Sequence, residues 1–378
     1  MGGATTSTER GTAALFVGTG RRFDLRGYPV PDPVPGEAVV RILQANVCGS
    51  DLHMWRGELD LERLRLPLPA VLGHEAVGEV VALGSGAERD AAGAPLAPGD
   101  RVVWRYFTPC GRCRSCAAGV TRACPDNHRF ISQWRSADDL PHFVGPFATH
   151  MVLPLGHVAY RVPVGVSDQA AAAANCALSE VLQALHTVGL RAGETFVVQG
   201  AGGLGLYACA VARSQGAGRI VVVDSVAERL ELAREFGADV VVDASALPDP
   251  RDRVAAVKDA TDGWGGDVVG EFVGHASAVE EGIRMVAPAG RYLEVGCIHA
   301  GTTFELDPAH LTLFNRSVIS VVYYEPEALG EALAFLDRTH DALPWERLFA
   351  RRYPLESIDE AFADADGRRV PRAALIPA

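Results

Sequence analysis

Hydrophobic and polar positions change rhythm once along the chain. Over residues 13 to about 160 the apolar positions come in short β-type runs, at 38–43, 76–81 and 101–104 among others. Turn signals such as Val34-Pro35-Gly36 and Ala97-Pro98-Gly99-Asp100 separate the runs, a texture that predicts a barrel-like β domain. An alanine-rich stretch over 169–185 predicts a helix leading out of it. From residue 194 to about 324 the pattern becomes an alternation. Apolar runs at 195–199, 219–224, 239–243, 267–273, 291–295 and 318–323 predict strands. Helical patterns at 204–215, 251–260 and 277–286, with another running through Glu235-Phe236, predict the connections. Strands buried on both faces with helices between them imply a parallel, doubly wound sheet. After residue 324 a helix over 328–336 and a final β-like run, Ala373-Ala374-Leu375-Ile376, are expected to rejoin the β domain. The domain reading is therefore 1–177 with 325–378 for the β domain and 178–324 for an inserted α/β domain.

Composition sets limits on this picture. A chain of 378 residues holds about two domains. Its 48% hydrophobic and 22% charged content suits a sizeable core. The net charge of −12, without a basic tract, argues against nucleic acid as a partner. No apolar run reaches the roughly 18 residues of a transmembrane helix, so no membrane partner is expected. Residues 1–10 are polar, lack the apolar core of an export signal and read as a loose tail. Four of the eight cysteines fall between 110 and 124, which points to metal binding in the reducing cytoplasm rather than to disulfides.

The chemistry begins with Gly200-Ala201-Gly202-Gly203-Leu204-Gly205, which follows a predicted strand and opens a predicted helix. That context makes it a dinucleotide loop. Gly200 permits the turn, Gly202 lets the backbone approach a pyrophosphate, and Gly205 lets helix and strand pack closely. Gly203 and Leu204 open the helix, whose free N–H groups favour phosphate. Asp224 lies 19 residues after Gly205, at the end of the second strand. A carboxylate there accepts the ribose hydroxyls and repels a 2′-phosphate, which favours NAD over NADP. Arg229 is a further candidate for the same ribose, although a solvated helix arginine is nearly as good a reading.

Two groups of metal-type residues stand apart from this loop. Cys110-x2-Cys113-x2-Cys116-x7-Cys124 offers four soft ligands and no open position, as a structural zinc site requires. Cys48 and His74, in Cys48-Gly49-Ser50-Asp51-Leu52-His53 and Gly73-His74-Glu75, are candidate ligands of a second zinc. A third ligand is sought where the domains meet, at Asn175-Cys176-Ala177-Leu178, which would leave a fourth position open for substrate. Taken alone, Cys176 would be a packing residue and His74 a loop histidine.

These motifs, with Gly99-Asp100-Arg101-Val102, occur in one order, and in that order the chain resembles the zinc-dependent medium-chain alcohol dehydrogenases over nearly its whole length. The resemblance implies a GroES-like β-barrel catalytic domain plus a Rossmann cofactor domain. It also implies two zinc ions per chain, NAD, a small alcohol substrate, and a homodimer or homotetramer. Cys48, His74 and Cys176 would match the catalytic zinc ligands, Glu75 an acidic residue able to approach the metal, and Asp51 an outer partner of the ligating histidine. Ser50 and His53 match a relay that carries the alcohol proton to solvent while the hydride goes to the nicotinamide. Val295 and Gly296, ending a late strand, are expected beside the nicotinamide. Cys297 there is read first as a structural thiol, and Cys209 as core. Gly49 is a departure, because some members carry a basic residue at that place to meet the cofactor phosphates.

Trp55, Trp104, Tyr106, Phe107, Trp134 and Phe143 fall around the metal motifs and together favour a bulky or cyclic secondary alcohol. The segments 105–110 and 175–178 look most similar to two branches of the family. One acts on cyclic terpenoid alcohols such as hydroxycamphor, and the other is associated with phosphonates. Arg129 and Arg135 are the candidates for an anionic substrate, although solvated loop arginines are the default reading, and a phosphonate-bearing or other small polar alcohol is the alternative substrate. Readings of other kinds are a non-catalytic NAD-binding protein on the same fold and a zinc-free reductase; the metal motifs argue against both.

Overall fold

The computed structural model describes residues 9–59, 66–127, 135–298, 301, 303–349, 351–370 and 372–377. It divides into two compact units, Met1–Cys176 with Tyr324–Ala378, and Ala177–Tyr323. In the first unit the short apolar runs become strands β1 (Arg10–Phe16), β2 (Asp24–Pro29), β3 (Ala38–Asn46), β4 (Ala70–Val71), β5 (Glu75–Leu83), β6 (Arg101–Trp104), β7 (His150–Leu153) and β8 (Ala159–Arg161). Three short helices interrupt or follow them: α1 (Gly49–Arg56), α2 (Arg114–Ala117) and α3 (Asp168–Ala171). Arg10 belongs to β1, where it pairs in register with Pro29, so that end of the expected tail is strand. The rest of the tail, 1–8, lies outside the described residues.

The second unit opens with α4 (Ser179–Val188) and then alternates. Its elements are β9 (Thr195–Gln199), α5 (Gly203–Ser214), β10 (Arg219–Asp224), α6 (Ala227–Glu235), β11 (Val240–Asp243), α7 (Pro250–Asp259), β12 (Gly266–Glu271), α8 (Ala276–Met285), β13 (Val286–Glu294), α9 (Ala309–Thr312) and β14 (Ser317–Ser320). The sheet order is β11-β10-β9-β12-β13-β14, parallel at every pairing. This is the doubly wound Rossmann order, with the crossover reversing beside β9, so the glycine loop after β9 lies at the switch point of the sheet. Phe196, Val197 and Val198 on β9 and Ile220, Val221 and Val222 on β10 are fully buried, which is why these runs are apolar on both faces.

The chain then returns to the first unit with α10 (Pro326–Thr339), β15 (Arg351–Pro354), α11 (Ile358–Asp366) and β16 (Ala373–Ile376). The larger sheet there runs β15-β16-β3-β5-β6-β8, with β7 also paired to β3; β2, β1 and β4 form a smaller one. Ala374 of β16 pairs with Asn46 of β3, and Asn46 pairs with Glu75 of β5. The last strand therefore ends beside the residues that open the metal-type motifs. β15 and α11 were not foreseen from the sequence, although α11 buries Ile358, Ala361 and Phe362 at helical spacing. The helix expected over 169–185 is broken: α3 stops at Ala171, a π-helical turn covers Ala174–Leu178, and α4 follows.

Candidate active site and cofactor loop

Cys48 caps α1. Its N–H donates to the Asp51 carboxylate at 2.9 Å, and the reciprocal bond from the first turn completes a capping box. The helix ends at Gly57 with φ of 76°, the left-handed cap that glycine permits. This short, doubly capped helix fixes Cys48 at one end and carries Ser50 and His53, three residues apart. His53 Nδ1 is paired with the Glu58 carboxylate just beyond the helix. The added methyl of any residue at position 49 would meet open space.

His74 and Glu75 enter from the start of β5. Asp51 Oδ1 stands 3.5 Å from His74 Nδ1, both side chains buried. Burial disfavours a charged imidazole there, yet the charges of Asp51 and Cys48 override it and lift His74 well above its ordinary pKa. Cys48 is held well below the usual thiol value by a hydrogen bond from the Cys176 thiol and by the charge of His74. Glu75 is fully buried, and burial pushes it up to about 7 against the opposing charge of Arg372. Arg372 pairs with one Glu75 oxygen, while Asn46 Nδ2 donates to the other at 3.3 Å.

Cys176 arrives on the π-helical turn, an irregularity common at functional sites. Asn175 anchors that turn. Its amide donates to the carbonyls of His74 and Trp104, both at 2.9 Å, and its own carbonyl accepts from the Tyr324 hydroxyl. The result is one group, buried apart from half-buried Cys48: ligand-type atoms of Cys48, His74, Glu75 and Cys176 lie within 4.8 Å of one another. Two sulfurs, one of them biased to thiolate, an imidazole and a carboxylate are a donor set that fits zinc.

The other cysteine motif also converges. The sulfurs of Cys110, Cys113, Cys116 and Cys124 lie within 4.8 Å of one another. Backbone N–H groups of Cys110, Cys113, Cys116 and Asp126 point at those sulfurs at 3.2 to 3.4 Å, as they do for thiolate ligands. Amides of Arg112 and Cys113 bring Cys110 down to about 7, whereas burial and Cys113 push Cys116 up to about 12. The lobe is tied to the start of α10 by Glu325, which accepts from the Thr121 and Arg122 backbones at 3.1 and 3.2 Å and from the Arg122 guanidinium at 3.0 Å.

In the second unit Gly200 has φ of 90° and turns the chain out of β9. A Cβ on Gly205 would stand 1.8 Å from the Gly200 carbonyl oxygen, so only glycine lets α5 pack there. A Cβ on Gly202 would meet no protein atom within 4 Å. Gly202 caps α5 without a side-chain acceptor, which leaves the first N–H groups, those of Gly203 and Leu204 included, for phosphate. Asp224 ends β10 and is nearly buried. It accepts the Ala201 N–H at 2.6 Å and the Val226 N–H at 2.8 Å, binding the glycine loop to the second strand. Each carboxylate oxygen still has a lone pair for a ribose hydroxyl. Arg229 is half-buried on α6. Val295 is buried and Gly296 half-buried just past β13.

Among the described aromatic candidates, Tyr106 adjoins the metal-type group and Phe107 packs against Tyr106 at 5.0 Å. Trp104, Phe107 and Phe143 are buried in the core, and Trp55 packs on Phe362 at 5.9 Å. Tyr106 lies beside the group, 4.8 Å from the His74 ring. Arg135 donates to the Leu140 carbonyl at 2.9 Å; Arg129 and Trp134 lie outside the described residues. Cys209 is core, its thiol pushed up to about 12 by burial. Sequence reading assigned no role to Asn175, Arg372 or Glu325. Their partners are far away in the chain, and no local spacing marks such pairs.

Comparison with known proteins places this geometry in a family. Residues 34–164 match the alcohol dehydrogenase GroES-like domain, and residues 203–338 match the zinc-binding dehydrogenase domain. The chain is 35% identical to 5-exo-hydroxycamphor dehydrogenase of Pseudomonas putida over 343 residues, covering 90% of this chain and 91% of that relative. The structure of an alcohol dehydrogenase from Thermotoga maritima superposes with a TM-score of 0.91 at 29% identity, covering 98% of this chain and all of the other. A zinc-binding dehydrogenase from Sinorhizobium meliloti, solved with NADP, gives 0.85 at 27% identity over 98% of this chain and 100% of its own. The chain belongs to the zinc-dependent medium-chain alcohol dehydrogenases. It is an oxidoreductase that acts on alcohols with zinc and a nicotinamide cofactor.

Proposed function

We propose that the protein oxidises a bulky or cyclic secondary alcohol with NAD, using a catalytic zinc held by Cys48, His74 and Cys176. The convergence of those side chains with Glu75 in one group carries the reading. Bound zinc lowers the pKa of an alcohol it ligates, and bound NAD accepts the hydride. Asp51, at Nδ1 of His74, fixes the tautomer that offers the other nitrogen. Glu75 is able to approach the metal but is restrained by Arg372 and Asn46. Ser50 takes the alcohol proton and His53 releases it to solvent, with Glu58 orienting the imidazole. Gly200, Gly202, Gly203, Leu204 and Gly205 receive the pyrophosphate, Asp224 the ribose with Arg229 beside it, and Val295 and Gly296 flank the nicotinamide. The four-cysteine lobe takes a second, structural zinc. The likeness to the hydroxycamphor enzyme, a protein named for a cyclic alcohol, supports the substrate class.

Self-association as a homodimer or homotetramer is part of the same proposal. β14 is the outer strand of its sheet and exposes Val318, next to exposed Leu313 and Phe314, an apolar edge suited to pairing with a second copy. A cytoplasmic location is supported by eight cysteines with no disulfide among them. Among the described residues no helix is long and apolar enough to cross a membrane.

An NAD-coupled absorbance screen over primary, linear secondary, cyclic and phosphonate-bearing alcohols, on protein of measured zinc content, tests the reading. Turnover greatest with cyclic secondary alcohols and two zincs per chain is expected. Preference for a phosphonate-bearing or other small polar alcohol would replace the substrate assignment, and activity that survives complete zinc removal would overturn the mechanism.

A further inference from the structure

The second unit holds another converging group, unrelated to either zinc motif. β12 and β13 are parallel neighbours whose last residues, Glu271 and Glu294, pair in register, so both carboxylates leave the sheet on the same side. The chain after β13 curls back as the Cys297 N–H donates to Glu294 Oε1 at 2.8 Å. Glu271 Oε1 is occupied by the N–H groups of Val273 at 2.6 Å and Gly274 at 2.7 Å. Among the described residues no N–H or O–H donor reaches the buried Glu271 Oε2 and Glu294 Oε2, and Glu271 as a whole is fully buried. One oxygen from each carboxylate and the Cys297 sulfur lie within 4.8 Å of one another. Two glycines make the closure possible. A Cβ on Gly296 would stand 2.4 Å from Glu271 Oε2, and one on Gly274 would stand 2.9 Å from the Gly296 carbonyl oxygen.

Two adjacent carboxylates whose facing oxygens are buried do not both ionise without a counter-charge, and buried acceptors without a donor are costly. Either a proton or a cation answers both demands. Burial and the charge of Glu294 push Glu271 up to about 8, and burial pushes the Cys297 thiol up to about 12, so the group holds protons that a cation would displace. The sulfur selects among cations. Magnesium and calcium take oxygen ligands, whereas zinc and its softer congeners accept thiolate together with carboxylate. Cys297 and Glu294 are half-buried, which gives an ion a way in.

We propose that Glu271, Glu294 and Cys297 form a further divalent-metal site that takes a borderline-soft ion such as zinc or cadmium. On binding, two carboxylate oxygens and the sulfur bond to the ion, the protons of Glu271 and Cys297 go to solvent, and water completes the coordination. The test is cadmium titration of the zinc-loaded, nucleotide-free enzyme, followed by equilibrium dialysis, elemental analysis and ultraviolet absorbance. One additional cadmium per chain, unchanged zinc content and a new sulfur-to-cadmium charge-transfer band are expected. Cys297→Ser should abolish the band, and Glu294→Gln should weaken binding at least about tenfold, or ~1.4 kcal/mol. Melting temperature and zinc content show whether each variant is folded; if Glu294→Gln is not, Glu271→Gln takes its place. No additional cadmium, cadmium bound only in exchange for zinc, or full affinity in the variants would overturn the site and leave a carboxyl pair sharing a proton.

Discussion

Asn175 donates its side-chain amide to the carbonyl of His74 at 2.9 Å, across 101 positions of sequence. The same amide reaches the carbonyl of Trp104. The residue before Cys176 therefore fixes the backbone that delivers His74 and the end of the strand that leads to Tyr106. The π-helical turn makes this possible, since a regular helix from α3 into α4 would aim residues 175 and 176 differently.

Replacing Asn175 by Ala removes a donor from each of two carbonyls, at a cost of about 2 kcal/mol. The more specific outcome is looser metal. Zinc should leave the Cys48 group to a chelator faster, by roughly tenfold as for other outer-partner losses, while the four-cysteine lobe keeps its ion. Chelator-release kinetics with a colorimetric zinc indicator separate the two; equal release from variant and parent would remove Asn175 from the positioning role.

The glycines of the cofactor loop should divide by cause. Gly205→Ala forces a methyl against the Gly200 carbonyl and should destabilise the protein by on the order of 3 kcal/mol. Gly202→Ala meets open space in the unliganded protein, so its melting temperature should hold while NADH affinity drops at least about tenfold. Thermal melts paired with NADH fluorescence titration read both. A Gly202→Ala protein that binds NADH normally would show that the pyrophosphate lies elsewhere.

Asp224 serves the loop as well as the proposed ribose, so Asp224→Gly should lower stability as well as selectivity. Selectivity is read as the ratio of kcat/KM for NAD to that for NADP. It should fall by at least about tenfold, ~1.4 kcal/mol. An unchanged ratio in a destabilised protein would leave Asp224 a structural residue only.

Glu271 makes stability depend on pH. Its native pKa of about 8 lies above the ordinary carboxyl value of 4.5, because burial and Glu294 favour the neutral acid. Between those values the native state holds a proton that the unfolded state has released. Its contribution to stability is thus complete in acid and falls as pH rises from about 4.5 to about 8. Denaturant titrations across that window, without added divalent metal, should show the decline, and Glu271→Gln should flatten it. A decline of equal slope in the variant would assign it to other groups.

Much of the architecture was legible because its signals are local. A strand, a glycine loop and a helix N-terminus occupy adjacent positions, and so do the cysteines at 110, 113, 116 and 124. Their geometry follows from short stretches of backbone. The alternation of apolar runs and helices likewise carried the Rossmann order, because burial on both faces leaves its mark in each strand separately. The alanine-rich stretch misled for the opposite reason. Helix propensity there is uniform, and the break into a π-helical turn is set by the carbonyls of His74 and Trp104, which sequence reading could not see.

The sequence by itself determined which donor types are present: two thiols and an imidazole in one group, four thiols in another, and a carboxylate at the end of the second Rossmann strand. Tertiary structure alone decided which groups restrain these. Arg372 reaches Glu75 across 297 positions, Glu325 reaches Arg122 across 203, and Glu271 meets Glu294 through strand register. A charge buried in a low-dielectric interior needs a partner at contact distance, and contact between distant segments is a property of the folded sheet rather than of spacing along the chain.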